Sequence, residues 1–255
     1  MALANYSQQF LGDDHGPNPW PNSLGGLGAL LLSMPLRFAQ QRIEPFVDST
    51  QEDRFEWLYR PPGGLSPSLI FEALERDADL PNLELKIAEH ILKNVSAEET
   101  VSINVSPASL CKPGFATRLA SVVTANHCAP ERIWWEVTEN WPVHNMESVQ
   151  NSLTIIRDTG GKIAIDDICS PQCLFDWLER YGVPDIVKVD KTVIKDKPEQ
   201  LNQMVALAQN NGSSVVIEGI ETVDEYAIAM ATGAPFWQGH FGGEATSATR
   251  KYAAL

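Results

Sequence analysis

Basic residues are scarce in this sequence. It has 19 Lys and Arg residues against 33 Asp and Glu residues, so the formal net charge is -14 at pH 7. Because binding to DNA or RNA depends on Lys and Arg that neutralise phosphates, this charge balance argues against a nucleic-acid partner. A small anionic ligand would need local help from a metal ion or from a single placed Arg or Lys.

Paired cysteines, the charge pattern of a leader sequence and long apolar runs are also lacking. The cysteines show no CxxC spacing; they are Cys111, Cys128, Cys169 and Cys173. This pattern predicts reduced thiols in a cytoplasmic protein. No Lys or Arg precedes Arg37, so the positively charged start of a signal peptide is missing. The apolar stretch over residues 24–36 is interrupted by glycines and a proline and is too short to cross a bilayer, so we expect no membrane association.

The rest of the chain alternates short β-branched or aromatic runs with longer helical patterns. Strand patterns fall at residues 42–48, 53–59, 100–105, 132–138, 162–167, 185–190, 214–219 and 234–238. Helical patterns fall at residues 66–78, 84–94, 107–127, 146–159, 171–181, 198–211, 222–232 and 244–254. A strand followed in most cases by a helix, repeated in this way, predicts an α/β fold of the (β/α)8 TIM-like barrel type.

The first connection departs from the barrel pattern. Only a few polar residues separate Asp48 from Asp53, whereas a parallel crossover needs a dozen or more. The first strand is therefore predicted to run antiparallel to the second. Residues 1–40, rich in Gly, Pro and Asn, are predicted to form an N-terminal extension, and residues 41–255 a single barrel domain.

Polar side chains recur at the ends of the predicted strands. They are Glu56, Asn104, Glu136, Asp166, Asp167, Lys188, Asp190, Glu218 and Gln238. In barrels, the strand ends at one face carry the catalytic groups. Any one of these residues alone is also typical of an ordinary strand-terminal acid that caps a helix or faces water. Acids that converge in a core, however, need compensating positive charge, which divalent cations supply.

The predicted ligands are all oxygen atoms. Carboxylates and one amide suit Mg²⁺ or Mn²⁺ better than zinc. The histidines, including His144 and His240 near strand ends, show no metal-ligand spacing. The adjacent Asp166 and Asp167 could each face a different ion, which is the arrangement that two-metal hydrolysis of a phosphodiester requires. We therefore expect one or two ions.

The order of several short motifs carries a family resemblance. They are EWLYR from Glu56, SINVS from Ser102, EVTE from Glu136, IDD from Ile165, KVD from Lys188, EGIET from Glu218 and QG at Gln238. Together they resemble the EAL family of cyclic di-GMP phosphodiesterases over residues 42 to about 243. The literal string at Glu72, Ala73 and Leu74 lies in a helical pattern, so Glu56 is the better match to the family's glutamate.

The resemblance implies a role for each matching residue. Glu56, Asn104, Glu136 and Asp166 would bind one metal ion, and Asp167 and Asp190 the second. Lys188 would hold or polarise the attacking water, Glu218 would accept its proton, and Asp167 belongs to the catalytic set. Arg60, Leu58 and Gln238 would contact the substrate cyclic di-GMP. Glu139 and Glu221 would hold the metal ligands in position without binding the metal themselves.

Departures from the family pattern keep more than one function open. After Asp167, where the family usually has Phe and a Gly/Ser-rich loop, this chain has Ile168, Cys169, Ser170, Pro171, Gln172 and Cys173. In the family that loop couples metal binding to dimerisation, which leaves a homodimer open here. One hypothesis is an active phosphodiesterase that produces the linear dinucleotide pGpG. The other is a catalytically weak cyclic di-GMP receptor or protein-interaction module, and some other barrel hydrolase remains a third reading.

Overall fold

The computed structural model describes residues 26–47, 52–76, 79–126, 128–138 and 145–248. A ten-stranded sheet organises them. Its strands are β1 (Phe38–Arg42), β2 (Glu44–Pro45), β3 (Arg54–Tyr59), β4 (Thr100–Val105), β5 (Ile133–Thr138), β6 (Lys162–Ile168), β7 (Ile186–Val189), β8 (Ser214–Ile217), β9 (Phe236–Trp237) and β10 (Thr246–Ser247). Strands β3 to β9 pair in parallel, each with the next one along the chain.

The first strands close this sheet into a barrel. β1 pairs with β3 in antiparallel fashion, and β2 pairs antiparallel with β9 at the other end of the parallel series. Only Ile43 separates β1 from β2, so one short segment joins both edges. The barrel and its antiparallel first strand are confirmed, whereas the predicted strand over 42–48 is wrong in its bounds. The strand begins four residues earlier, at Phe38, and pairing with β9 ends at Pro45, a residue that cannot donate a backbone hydrogen bond.

Helices cover the outside of the barrel. They are α1 (Gly26–Ser33), α2 (Pro67–Arg76), α3 (Leu80–Asn94), α4 (Pro107–Leu110), α5 (Phe115–Ala125), α6 (Met146–Asp158), α7 (Pro171–Tyr181), α8 (Lys191–Asp196), α9 (Pro198–Asn210) and α10 (Val223–Ala231). Most lie where the sequence predicted them. In the described part of the chain, no helix is both long enough and apolar enough to cross a membrane.

Two helical predictions need correction. The pattern over residues 107–127 is not one helix, because Pro113 and Gly114 separate α4 from α5 and Gly114 adopts a left-handed φ of 77°. The predicted helix over 244–254 is wrong at Thr246 and Ser247, which form β10 and pair with β1. Backbone pairing at a sheet edge outweighed the weak helical preference of this stretch.

The interior of the barrel has an apolar layer beneath a polar one. Ile43, Trp134, Ala164, Ile186 and Val216 form a buried cluster, against which Phe236 packs. Side chains on a strand repeat their direction every second residue, so the residues two places further along share the same interior. Those residues are Glu136, Asp166, Lys188, Glu218 and Gln238. The apolar layer therefore fixes which polar side chains face each other above it.

Helix α1 packs on the barrel domain. Leu31 and Leu32 are buried in the main hydrophobic cluster. Lys86 on α3 donates hydrogen bonds to the carbonyl oxygens of Leu32 and Met34, the latter at 3.1 Å. These contacts tie residues of the predicted extension to α3; the division of the chain at residue 40 stays a prediction.

Candidate metal centre and active site

Lys188 lies at the centre of a buried acidic cluster at the C-terminal ends of the parallel strands. Its Nζ is 2.8 Å from Glu218 Oε1, 3.0 Å from Glu136 Oε2, 3.1 Å from Asp166 Oδ1 and 3.4 Å from Glu56 Oε2. The four carboxylates come from β3, β5, β6 and the end of β8. One ammonium group thus contacts acids that are far apart in sequence.

Charge and burial oppose each other at Lys188 and Glu56. Burial alone would lower the pKa of Lys188, but the surrounding carboxylates, Asp166 and Glu136 foremost, raise it well above its usual value. Burial alone would raise the pKa of Glu56, but the charge of Lys188 and hydrogen bonds from Gln238 and Asn104 bring it below its usual value. Both residues are therefore ionised, and their ion pair is buried.

The other glutamates of the cluster hold protons more tightly than usual. Burial, reinforced by the charges of Glu56 and Asp166, raises the pKa of Glu136 well above its ordinary value. Burial also raises the pKa of Glu218 to about 8, although Lys188 works in the opposite direction. The cluster therefore contains more acid than one lysine can balance.

Amide and hydroxyl groups hold two of the carboxylates in place. Asn104 Nδ2 donates to Glu56 Oε1 at 3.1 Å, and Gln238 Nε2 donates to Glu56 Oε2 at 2.8 Å. Ser102 Oγ donates to Glu136 Oε1. Ser102 belongs to the SINVS motif but was not among the predicted site residues. Its position on β4, two residues before Asn104 and hence on the same face, was the signal that could have identified it.

A bulge in β6 brings the two adjacent aspartates into one place. The pairing of β6 with β7 shifts register between Ile165 and Ile168, and Asp167 adopts a left-handed φ of 57°. Consecutive residues of a regular strand point to opposite faces, and this distortion removes that restriction. Oxygens of Asp166, Asp167 and Glu218 lie within 4.8 Å of one another. Burial, with the charges of Asp166 and Asp190, raises the pKa of Asp167 to about 6.

These side chains fit a hard divalent cation. The donors are carboxylate and amide oxygens, the ligands that Mg²⁺ and Mn²⁺ prefer. Asp166 Oδ1 is buried and makes no hydrogen bond, although it is paired electrostatically with Lys188. A positive ion beside it would compensate the acid excess.

A cleft of about 260 Å³ opens above the cluster. Its lining includes Glu56, Asp167, Asp190, Glu218, Glu221 and Gln238, together with Gln41, Lys191, Gly219, Gly239 and His240. The last five were not among the predicted site residues, because their position follows from loops, from the start of α8 and from β1, and not from a strand-end pattern. A larger cavity of about 950 Å³ lies outside the barrel, between β1, β3 and α3, away from these acids.

Some predicted site residues lie apart from the central cluster. Asp190 Oδ1 accepts a hydrogen bond from the backbone N–H of Thr192 at 2.9 Å and so caps α8. Glu221 is exposed and pairs with Lys195 at 2.9 Å. Arg60 is exposed beyond the end of β3, and Leu58 is half-buried on that strand. Their predicted roles stay predictions.

Two further glutamates of the sequence remain, Glu139 and Glu72. Glu139 lies outside the described residues. Glu72 is exposed on α2, as expected for a helix residue, whereas Glu56 is buried on β3 within the cluster. The contrast supports Glu56 as the functional glutamate.

Comparisons with known proteins identify a matching family model and several similar proteins. Residues 50–245 match the family model described as EAL domain. The chain is 27% identical over 169 residues to "Probable cyclic di-GMP phosphodiesterase PdeA" of Escherichia coli, which covers 62% of this chain and 23% of PdeA. It is 27% identical over 146 residues to "Cyclic di-GMP phosphodiesterase RocR" of Pseudomonas aeruginosa, which covers 55% of this chain and 37% of RocR.

Solved structures show the same barrel. BlrP1 of Klebsiella pneumoniae in a calcium and cyclic di-GMP complex matches with a TM-score of 0.73 and 26% identity, over 89% of this chain and 58% of that one. Its manganese and cyclic di-GMP complex matches with a TM-score of 0.74 and 25% identity, over the same shares of both chains. This chain thus spans less than two thirds of the length of each of these relatives.

Proposed function

The chain belongs to the EAL domain family, and from that premise we propose that it is a metal-dependent phosphodiesterase that hydrolyses cyclic di-GMP to linear pGpG. The observation that carries the proposal is the set of ion pairs that Lys188 forms with Glu56, Glu136, Asp166 and Glu218 at the catalytic end of the barrel. Phosphodiester hydrolysis needs charged groups beside a cleft, and here a lysine and several carboxylates supply them.

Metal binding is proposed for the residues of this cluster. Glu56, Asn104, Glu136 and Asp166 would hold one ion, and Asp167 and Asp190 a second. When bound, Mg²⁺ or Mn²⁺ would supply an acidified water and offset charge on the phosphate oxygens. Oxygens of Asp166 and Asp167, which are assigned to different ions, lie within 4.8 Å of each other, and this proximity supports two neighbouring ions.

Lys188 and Glu218 would carry the proton chemistry. A general base works best when its pKa lies near the working pH, and burial raises the pKa of Glu218 to about 8. The Lys188 ammonium lies 2.8 Å from Glu218 Oε1. It would orient the attacking water, whose proton Glu218 accepts, and stabilise negative charge on the phosphate. Both side chains are fixed by the strands that carry them, so little reorganisation is needed.

Substrate contacts are proposed for Arg60, Leu58 and Gln238. Arg60 offers a forked donor for a phosphate, and Leu58 an apolar surface beside a guanine base. Gln238, already bonded to Glu56 through Nε2, has its Oε1 buried without a hydrogen bond. That oxygen could accept a hydrogen bond from a bound water or ligand.

The direct test incubates purified protein with cyclic di-GMP and either Mg²⁺ or Mn²⁺, and follows products by chromatography and mass spectrometry. We expect pGpG to accumulate with metal and not with EDTA. Glu218→Gln, which keeps the shape of the side chain but cannot take up the proton, should slow the reaction at least ~100-fold. The absence of pGpG from wild-type protein under conditions in which a known phosphodiesterase is active would refute the proposal.

A receptor without significant catalysis is the second candidate. The observation that favours it is the segment after Asp167, where only Cys169 and Ser170 separate β6 from α7 and the glycines usual in the family are missing. Isothermal titration with cyclic di-GMP and Mn²⁺ distinguishes the two functions. A receptor binds the dinucleotide and returns it intact, whereas an enzyme converts it during the titration. A protein-interaction module would bind no dinucleotide.

A further inference from the structure

Two thiols are in contact beside the acidic cluster. Cys169 Sγ lies 3.5 Å from Cys173 Sγ, and Ser170 Oγ donates to Cys173 Sγ at 3.0 Å. Ser170 is also the N-cap of α7, where its Oγ accepts the backbone N–H of Cys173 at 3.2 Å. The cap therefore fixes the first turn of α7 and orients the Cys173 sulfur toward Cys169.

This contact distinguishes the pair from the other cysteines, all of which lie in described ranges. Cys111 Sγ contacts the Asn145 carbonyl oxygen at 3.6 Å, and Cys128 is buried with its Sγ 3.9 Å from the carbonyl oxygen of Ala129. Cys169 and Cys173 are both half-buried, so a small oxidant can reach them. The sulfurs need to approach by only about 1.5 Å to reach bonding distance.

We propose that Cys169 and Cys173 form a reversible intrachain disulfide and so constitute a redox modification site. With hydrogen peroxide as the oxidant, one thiol sulfur attacks a peroxide oxygen, and the O–O bond breaks to give a sulfenic acid and water. The second thiol then displaces the sulfenic hydroxyl group, and the S–S bond forms with release of a second water. Both sulfurs are oxidised and both peroxide oxygens are reduced. A dithiol reductant restores the thiols by exchange.

The disulfide acts on the site through its position in the chain. Cys169 follows Asp167 by two residues, and Asp167 already holds a left-handed φ of 57° within the β6 bulge. Drawing Cys169 toward the first turn of α7 pulls on this strained segment. The disulfide therefore displaces the Asp167 carboxylate and weakens metal binding. This second step rests on the proposed function; the disulfide does not.

Mass spectrometry tests the bond itself on wild-type protein. Trypsin cleaves after Lys162 and Arg180, so both cysteines lie in one peptide, residues 163–180. After peroxide treatment and alkylation, we expect this peptide to be unalkylated and lighter by two hydrogen atoms, and to become doubly alkylated after dithiothreitol. Peptides with Cys111 and Cys128 serve as internal controls and should keep their thiols.

Several outcomes would overturn the disulfide. They are full alkylation of both cysteines after peroxide, separate over-oxidation of each sulfur, or a cross-link from either sulfur to Cys111 or Cys128. Cys169→Ser is the matched variant, because it removes one sulfur and keeps a small polar side chain. In that variant the remaining Cys173 should be alkylated or further oxidised, with no loss of two hydrogens.

Mn²⁺ titration of the desalted protein tests the coupling to the site. We expect the oxidised form to bind Mn²⁺ about tenfold more weakly than the reduced form. The double variant Cys169→Ser with Cys173→Ser should bind equally before and after peroxide. Equal affinity of oxidised and reduced wild type would overturn the coupling. If neither form binds Mn²⁺, the proposed metal centre and the coupling both fail, while the mass measurement still decides the disulfide.

Discussion

The Lys188 ammonium lies 3.0 Å from Glu136 Oε2, with 1% of the lysine side chain and 0% of the glutamate side chain exposed. Three further carboxylates lie around the same ammonium group. The buried ion pair of Lys188 with Glu56 is costly to break, because the charge that remains has neither water nor a counter-charge. Lys188 is therefore as much a structural residue of the cluster as a proposed catalytic one.

Lys188→Met tests this dual role, since methionine has a similar length and no charge. Loss of one partner from a buried ion pair costs about 3–5 kcal/mol, so the midpoint of urea unfolding should fall clearly and phosphodiesterase activity should be lost. Lys195→Met is the matched control, because Lys195 pairs with Glu221 at the surface. It should leave the unfolding midpoint nearly unchanged. Equal effects of the two variants would contradict the central place given to Lys188.

Glu56→Ala and Glu72→Ala separate the two candidate glutamates. Glu56 is buried in the cluster with bonds from Asn104 and Gln238, whereas Glu72 is exposed on α2. We expect Glu56→Ala to reduce metal-dependent hydrolysis at least ~100-fold and Glu72→Ala to change it less than about twofold. The rates are compared at saturating Mn²⁺, with circular dichroism to confirm that both variants fold. Similar losses in both would mean that the glutamate was assigned to the wrong strand.

Ser102→Ala removes a hydroxyl group that touches Glu136 but faces no proposed substrate. Without that donor, Glu136 loses a hydrogen bond that fixes its orientation, so Mn²⁺ affinity should fall about tenfold. Isothermal titration measures the change. Ser152→Ala is the control: that serine is also buried, but its Oγ donates to the Leu110 carbonyl oxygen at 2.7 Å. The idea fails if Ser102→Ala binds Mn²⁺ as tightly as the control does.

Glu84→Gln tests the pH dependence of stability. Glu84 on α3 accepts the backbone N–H of Ser106 at 3.0 Å, and burial raises its pKa from 4.5 to about 7. The folded protein thus keeps a proton that the unfolded chain releases near pH 4.5, so stability from this group is present below that pH and is lost as pH rises to about 7. The free energy of unfolding of Glu84→Gln relative to wild type should therefore rise over this window and then level off.

Urea unfolding at a series of pH values measures that difference. Glu89→Gln is the matched control, because Glu89 is on the same helix and pairs with Lys93 on the surface at 2.6 Å. Its stability should run parallel to that of the wild type across the window. A parallel course for Glu84→Gln as well would show that the carboxyl group is ionised at the same pH in the folded and unfolded chains.

Regular strands made much of the barrel predictable. Runs such as Ile163, Ala164 and Ile165 before Asp166 have the β-branched and small residues of a buried strand. The end of such a strand can be read from the position at which the run stops. The ends of irregular segments were harder to predict from the sequence. The edges of the first strand depend on which residues pair with β3 and β9, and β10 exists only because β1 offers it an open edge.

The candidate site, like the fold, was predictable from the sequence only in part. The ends of barrel strands meet at one face, and so the sequence by itself determined that Glu56, Glu136, Asp166, Lys188 and Gln238 lie together at that face. The family motifs gave the same set. The periodicity of the sequence does not predict the left-handed φ of Asp167, the capping of α8 by Asp190 or the 3.5 Å contact of Cys169 with Cys173.

Those features were decided by the tertiary structure alone. A bulge arises where neighbouring strands and the following helix compete for the same residues, which local sequence does not record. The electrostatics have the same origin, because the pKa of Glu218 depends on burial and on the charges of Lys188, Asp166 and Glu56, which belong to three other strands of the barrel. Sequence fixes the types of side chain and the face on which each lies; the distances that make them a site follow only when the barrel closes.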